Sequence, residues 1–370
     1  MIMNMLKGNS KKMKILEVVP NLQTGGAEKF VIDLTNEFNN KNYEVVLVTL
    51  YDKNDSDPFE NLIPNIKRVS LHKKSGFDYK CIWNLYRLIM KEKPTVVHTH
   101  VEAIKYLLLA VHLYKRCDYY VTVHSDAKHD SGIGLNFKIR KYFYDHKLVT
   151  PITISPASAK SFEDVFGIKT TMIINGCVPY SSSDVDLNRY REGVDKLLVH
   201  AARIEPVKNQ LMLVRVVDRL IKEGYKLRLL ILGRPQYPDI VEEIEQYTST
   251  YIQFLGVKSN VRDYMAVADG FCLSSLIEGM PITLIEAFST GCIPIVTPAG
   301  GCIDMVKNKL NGFISDEISE ESYYNALKEF CDTPKMNLNK IREESLNSYI
   351  KSFSISKTAD LYLTEFQKNS

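Results

Sequence analysis

The chain has 370 residues, enough for two domains of ordinary size that each bury a core. Its fractions of 45 % apolar, 25 % charged and 10 % aromatic residues exclude a disordered or fibrous class. Residues 1–180 carry 25 Lys and Arg against 18 Asp and Glu, a balance of +7, whereas the rest of the chain sums to −4. A basic first half suggests an anionic partner for that half.

No apolar run approaches the roughly 18 residues of a membrane-spanning helix. The opening segment, MIMNMLKGNSKK, lacks the apolar core and cleavage site of a secretory signal. The seven cysteines (Cys81, Cys117, Cys177, Cys272, Cys292, Cys302 and Cys331) are scattered, with no Cys-x-x-Cys pair. They read as reduced thiols in a cytoplasmic setting and argue against a zinc site.

Taken in chain order, strand-length apolar runs occur at 13–20, 43–50, 66–72, 95–100, 119–125, 151–155 and 171–175. Helical patterns separate most of them, as at 27–38 and 79–90. This alternation specifies a mostly parallel sheet with helices on both faces. From Gly176 to Asp195 the periodicity stops and polar residues, Pro and a serine run take over. A second set of strands follows at 196–202, 227–233, 251–256, 270–275, 292–298 and 312–315. Helices are expected at 208–224 and 283–291, and a last amphipathic one at 355–367. The expected class is therefore α/β, with two doubly wound Rossmann-like domains facing across a cleft. The first spans 13–180 and is rejoined by the helix at 355–370, a linker occupies 181–195, and the second domain spans 196–354.

In such sheets ligands bind beyond the C-terminal strand ends, so the loops there carry the chemistry. The first loop, Asn21 to Glu28, contains Gly25 and Gly26 and opens a helix whose free amides suit an anion. It matches neither the Gly-x-Gly-x-x-Gly dinucleotide fingerprint nor a P-loop. After the strand at 196–202 come Arg203 and Lys208, a fork and a point charge able to embrace a diphosphate. Then follows Glu278-Gly-Met-Pro-Ile-Thr-Leu-Ile-Glu286. Thr283 is expected to start a helix with Glu286 in its first turn, where a carboxylate either complements the helix dipole or grips ribose hydroxyls. Gly300 and Gly301 follow at another strand end.

These residues resemble the retaining GT-B glycosyltransferases of the group 1, or family 4, type that build bacterial cell-surface polysaccharides. The resemblance runs from Met13 to about Phe366. It rests on Gly25-Gly-Ala-Glu28, Ile174-Asn-Gly176, Arg203 with Lys208, and above all Glu278-x7-Glu286 followed by Gly291, Pro294 and Gly300-Gly301. The family often has Glu where this chain has Asp304.

The resemblance implies transfer of a hexose or N-acetylhexosamine from a UDP- or GDP-sugar to a lipid-linked glycan acceptor in cell-surface polysaccharide synthesis. It implies catalytic roles for Glu278, Arg203, Lys208 and His124. Donor binding would fall to Gly25, Gly26, Gly279, Met280, Pro281, Thr283, Leu284 and Glu286. No metal or other cofactor is expected, because the nucleotide sugar is itself a substrate, and no nucleic-acid partner is expected.

Asp55-Ser-Asp57 and Asp184-Val-Asp186 mimic a metal-binding Asp-x-Asp, but polar loops suit them better as solvated turns. His98 and His100 share one side of a strand; two histidines alone make a weak metal site, and His100 fits either acceptor contact or a buried role. The basic, aromatic stretch 126–148 (Lys138, Arg140, Lys141, Lys147, Phe137, Tyr142, Phe143, Tyr144) is a candidate for peripheral contact with the inner face of the cell membrane. A nucleotide-sugar epimerase or hydrolase of the same fold, and an inactive homologue that only binds, are the rival readings. A Rossmann dehydrogenase is disfavoured by the missing fingerprint.

Overall fold

The computed structural model describes residues 13–23, 25–54, 65–124, 127, 134–183 and 185–368. Asp55, Asp57 and Asp184 lie outside the described residues. The chain forms two compact units. The first takes the described residues up to Ile154, then Ser158–Ile173, and again those from Thr358 onward; the second takes Ser155–Ala157 and Ile174–Lys357.

The first unit holds a seven-stranded parallel sheet made of β1 (Lys14–Val19), β2 (Glu44–Thr49), β3 (Lys67–Ser70), β4 (Val96–His100), β5 (Asp118–Val123), β6 (Thr150–Thr153) and β7 (Thr171–Met172). Their order is β3-β2-β1-β4-β5-β6-β7. The second unit holds β8 (Lys196–Ala201), β9 (Leu227–Leu232), β10 (Ile252–Gly256), β11 (Gly270–Leu273), β12 (Ile293–Val296) and β13 (Phe313–Ile314), ordered β10-β9-β8-β11-β12-β13. Both are Rossmann orders. The direction of winding reverses between β1 and β4 in one unit and between β8 and β11 in the other, which is where such sheets open a crevice.

The strands are continuous apolar runs because helices cover both faces, so neither face alternates polar and apolar. Leu16, Val18, Val46, Val48, Val97 and Val121 anchor the main core of the first sheet. Leu198, Leu229, Ile231, Cys272, Ile293 and Ile295 do so in the second. The helix Ile355–Gln367 belongs largely to the first unit, where Tyr362 and Phe366 are fully buried.

Segment 181–195 is not a free strand of chain. Tyr180 and Ser183 donate hydrogen bonds to the Asp263 carboxylate at 3.0 and 2.5 Å, and Arg191 grips both oxygens of Asp269. These contacts tie it into the second unit.

In the described part of the stretch expected to rest on a membrane, Lys138, Lys141, Tyr142 and Lys147 are exposed, while the other aromatic residues turn towards the core. Within the helix Leu135–Asp145, Phe143 and Tyr144 are buried, and Phe137 stacks on Phe166 at 5.4 Å. Arg140 is buried as well and donates to the Val101 carbonyl at 2.9 Å. The helix Tyr79–Glu92 shows the opposite pattern. Tyr79 is 78 % exposed and Trp83 52 %, with Met90 also exposed. Lys80, Arg87 and Lys91 stand exposed beside them.

Candidate active site

In the second unit the loops after β8 and β11 meet at the reversal point. Beyond β8 the chain passes Arg203, makes a single 3-10 turn at Pro206–Lys208, and enters the helix Gln210–Lys222 only after Asn209. Asn209 takes φ 53°, a left-handed conformation that Asn tolerates better than most residues. Lys208 therefore precedes the helix instead of opening it. Its carbonyl accepts from Ser274 Oγ at 3.0 Å, and Leu276 N–H donates to the Val207 carbonyl at 2.8 Å. The two loops are laced together by these bonds.

That lacing brings Lys208 to Glu278. Lys208 Nζ donates to Glu278 Oε1 at 2.8 Å, and Ser275 Oγ donates to the same oxygen at 2.6 Å. The side chains are 18 % and 7 % exposed, so this is a largely dry ion pair. Arg203 is half exposed and lies 3.1 Å from Glu205, close enough to attract although the pair is not aligned as a hydrogen bond.

Behind these residues sits His200, which sequence reasoning overlooked inside an apolar strand. Its Nδ1–H donates to the Cys272 carbonyl at 2.9 Å, and Nε2 accepts from Gln210 Nε2 at 3.2 Å. Gln210 also donates to the Arg203 carbonyl at 2.7 Å, which fixes the backbone that carries the arginine. Burial, reinforced by the charge of Lys208, pushes His200 down to about 4.

The glycine pair shapes the Glu278 loop from behind. Gly300 has φ +49°, and a Cβ there would stand 1.8 Å from the Glu278 carbonyl oxygen. Gly301 N–H donates to the Gly279 carbonyl at 3.0 Å. Close backbone approach is the reason for glycine here.

The next helix is Ile282–Thr290, capped by Pro281. Thr283 is thus its second residue, and Glu286 its fifth, one residue deeper than the sequence suggested. Met280 and Leu284 are buried, so Leu284 offers a ligand its main chain only.

In the first unit, parallel register sets Glu17 of β1 beside His98 of β4, and His100 of β4 beside Thr122 of β5. All four side chains are fully buried. His98 Nδ1 lies 3.1 Å from Glu17 Oε1, and His100 Nε2 lies 2.7 Å from Glu17 Oε2. His100 Nδ1 lies 3.0 Å from Nε2 of His124, which is half-buried just past β5. Thr122 Oγ1 bridges His98 Nε2 and the Tyr362 hydroxyl, each at 2.8 Å. The Phe30 and Tyr362 rings close over the cluster.

Burial alone would neutralise Glu17, yet the charge of His98 and the hydrogen bond from His100 hold it at about 2. Burial and the neighbouring His98 push His100 down to about 4 against the pull of Glu17. Burial and the two other imidazoles keep His124 well below its usual value.

Full burial leaves His100 without a surface for an acceptor, so its place is structural support beneath His124. Immediately after it, Val101 takes φ 54°, a rare conformation for a β-branched residue. Among the described residues, Glu17, His98 and His100 are the side chains close enough together to hold a metal ion. The 2.7 Å between Glu17 and His100 is a hydrogen-bond length. It is short for two ligands of a tetrahedral zinc, which bonds of about 2.0 Å hold roughly 3.3 Å apart.

Gly25 precedes the helix Gly26–Asn40 in extended conformation, and its carbonyl accepts the Lys29 N–H at 3.1 Å. Gly26 is the first residue of that helix.

Two parallel sheets, each wound in the Rossmann order, are the elements of the GT-B architecture. The family models for "Glycosyltransferase Family 4" and "Glycosyl transferases group 1" match residues 24–179 and 188–346, and the chain belongs to this glycosyltransferase family.

Among curated relatives, the UDP-Gal:alpha-D-GlcNAc-diphosphoundecaprenol alpha-1,3-galactosyltransferase of Escherichia coli is 24 % identical over 96 % of this chain and 97 % of its own length. The capsular polysaccharide biosynthesis glycosyltransferase CapH of Staphylococcus aureus is 26 % identical over 76 % and 81 %. Among solved structures, HepE of Anabaena in complex with UDP has a TM-score of 0.79 at 18 % identity, covering 96 % of this chain and all of that one. A glycosyltransferase of Rickettsia africae gives 0.81 at 19 %, covering 97 % and 100 %.

Proposed function

We propose that this glycosyltransferase is a retaining, metal-independent hexosyl- or N-acetylhexosaminyltransferase. It takes its sugar from a nucleotide diphosphate sugar and delivers it to a lipid-linked glycan in cell-surface polysaccharide synthesis. The observation that carries the reading is the Lys208–Glu278 pair at the reversal point of the second sheet, with Arg203 earlier on the loop that carries Lys208. Cations there suit the departing diphosphate, and a carboxylate beside them suits the hydroxyls of the transferred sugar. Glu286 takes the ribose hydroxyls. The uridine nucleotide is favoured over guanosine by the donor named for the Escherichia coli relative and by the UDP complex of HepE. A diphosphoundecaprenol-linked acceptor is likewise the kind named for that relative.

In the reaction the bond between the anomeric carbon and the diphosphate breaks while the acceptor oxygen forms its bond on the same face. The acceptor proton passes to the leaving phosphate oxygen. Preorganised charge in a site shielded from water stabilises the developing diphosphate, an effect on the order of several kcal/mol.

Among the described residues no helix is long and apolar enough to cross a membrane. Contact with the inner membrane face is assigned to the helix Tyr79–Glu92, whose exposed Tyr79 and Trp83 adjoin Lys80, Arg87 and Lys91. Aromatic and basic side chains on one surface match an anionic bilayer interface.

The test is a screen of UDP- and GDP-sugars in EDTA, reading released nucleotide diphosphate, with Glu278→Ala alongside. Turnover of one donor that the substitution abolishes supports the reading and identifies the sugar. Failure of every donor both to turn over and to raise the melting temperature would overturn the site and favour an inactive binding homologue.

A further inference from the structure

The second unit has a cavity of about 230 Å³ at the end of its sheet opposite the proposed donor site. Lys196 opens β8, Asp269 directly precedes β11 and Ile293 opens β12, so the cavity lies beneath the strand starts. Ligands of a doubly wound sheet bind at the other end, beyond the strand C-termini. The six residues of β8, at about 3.3 Å each, put roughly 20 Å between this cavity and the loops of Arg203, Lys208 and Glu278.

The helix Lys335–Ser348 forms one wall. Lys335, Leu338, Asn339 and Arg342 recur at helical spacing, and all four line the cavity. A helix face turned towards its own domain is ordinarily apolar. Here Leu338 alone is so, and with Ile293 it gives the cavity a buried apolar patch. Gly291 makes room for the stem of Arg342, since a Cβ there would stand 3.2 Å from Arg342 Cγ.

The nearest acid is already taken. Arg191 donates to both oxygens of Asp269 at 3.1 and 3.0 Å, and the Leu197 N–H donates to one of them at 2.9 Å. Arg342 stands 3.9 Å from the same carboxylate, beyond hydrogen-bond reach. Lys196 has the Phe330 ring 5.6 Å from its Nζ and no acceptor. Among the described residues, the side chains of Lys196, Lys335, Asn339 and Arg342 make no hydrogen bond. With Arg191 and Asp269 cancelling, the three remaining cations face Asp195 alone, a balance of +2. The half of the chain that holds them sums to −4, so the cavity is not a piece of a generally basic surface.

We propose that this cavity is a second anion site, separate from the donor site, that takes one phosphate group, either free or on a small soluble phosphomonoester. Such a group carries about −1.5 to −2 near pH 7, which matches the charge left over in the cavity. Arg342 can grip two of its oxygens in a fork, the lysines act as point charges, and the Asn339 amide supplies a neutral donor. Lys335 is the first residue of its helix, where the macrodipole adds positive potential. The apolar patch beside these groups keeps water from screening them. Once bound, the phosphate ties a helix that buries little apolar surface to the strands beneath it. The site stands whether or not the function proposed above holds.

Calorimetric titration of the full chain with inorganic phosphate, at constant ionic strength in sodium chloride, tests this. Saturable binding is expected, weakened about tenfold by Lys335→Gln and again by Arg342→Gln, the value of one charge-assisted hydrogen bond each. Both positions are at least partly open to solvent, and the melting curve of each variant without phosphate checks that it folds. Lys208→Ala, which alters the donor site alone, should leave the affinity within about twofold. Acetate at equal ionic strength should not displace the phosphate. Absence of saturable binding overturns the assignment. So does binding that Lys208→Ala removes while the folded Lys335→Gln and Arg342→Gln variants keep it, since the phosphate then sits in the donor site. If vesicles containing phosphatidic acid bind through Lys335 and Arg342 while free phosphate does not, the cavity reads a lipid headgroup and the soluble ligand is refuted.

Discussion

Substituting Lys208 by Ala removes one half of the ion pair at the centre of the proposed donor site. Glu278 would keep its bond from Ser275 but lose the opposite charge 2.8 Å away. Breaking a fully buried pair costs about 3–5 kcal/mol, and exposed pairs contribute about 0–1. With Lys208 18 % and Glu278 7 % exposed, the cost lies between, at about 2 kcal/mol. For a unit of this size that lowers the melting temperature by roughly 4–8 °C.

Because the charge left behind causes most of the loss, adding Glu278→Ala should restore about half of it. A double-mutant cycle followed by thermal unfolding reads the coupling directly, expected at about 1 kcal/mol plus whatever Glu278→Ala costs alone. Turnover should respond differently. Both single variants and the double variant lose donor hydrolysis, since stability recovers and diphosphate stabilisation does not. Additive melting shifts, or a double variant that turns over donor like the unsubstituted protein, would refute the assignment of Lys208 and Glu278 as one unit.

Gly300→Ala forces a Cβ into the Glu278 carbonyl and a side chain into φ +49°, and should cost about 3 kcal/mol in urea unfolding while weakening UDP binding. The buried His100 and His200 are each held near 4, below the usual 6.5, so unfolding takes up protons as acid is added. Their neutral folded forms give stability that is intact above pH 6.5 and falls as pH drops towards 4, by about 1 kcal/mol per unit for each ring; a flat urea midpoint between pH 7.5 and 5 would contradict this. Trp83 is the chain's single tryptophan, so its emission should shift to the blue with vesicles rich in anionic lipid and stay put with neutral ones. Tyr362→Phe strips the hydroxyl from Thr122 and should destabilise the protein by about 1 kcal/mol, read as a lower urea midpoint.

The strand-and-loop alternation was legible because a parallel sheet buried on both faces leaves unbroken apolar runs, and every expected strand but one ends within two residues of an observed one; the run at 171–175 shrinks to Thr171–Met172. The Glu278 block was legible through its resemblance to a family. Helix phase was harder to read. One residue's difference in where the helix begins, Ile282 instead of Thr283, moves Glu286 from the first turn to the second.

The Glu17–His98–His100 cluster depends on the register between β1 and β4, whose residues lie about eighty positions apart, and local periodicity carries no such information. A hint was present in the strand KILEVV, since an acidic residue in a doubly covered strand must find partners. For Phe143 and Tyr144 the error ran the other way, because amphipathic helices that face a core and those that face a membrane have the same pattern. The helix Lys335–Ser348 buries few apolar residues, Leu338 and Ile341 among them, and so left a faint signal.

The first unit is discontinuous, and Tyr362 closes the histidine cluster from the helix that returns after the whole second unit. During synthesis the first sheet therefore emerges with Glu17, His98 and Thr122 uncovered, and waits for some two hundred further residues before its lid leaves the ribosome. At roughly 5–20 residues per second that interval is on the order of ten seconds or more, long compared with the collapse of a chain this size. The second unit has its complete sequence at Lys357, just before most of the returning helix is made. The half of the molecule made first is thus the half finished last, and a chain stalled before Thr358 would hold a folded second unit beside an open, wet first sheet.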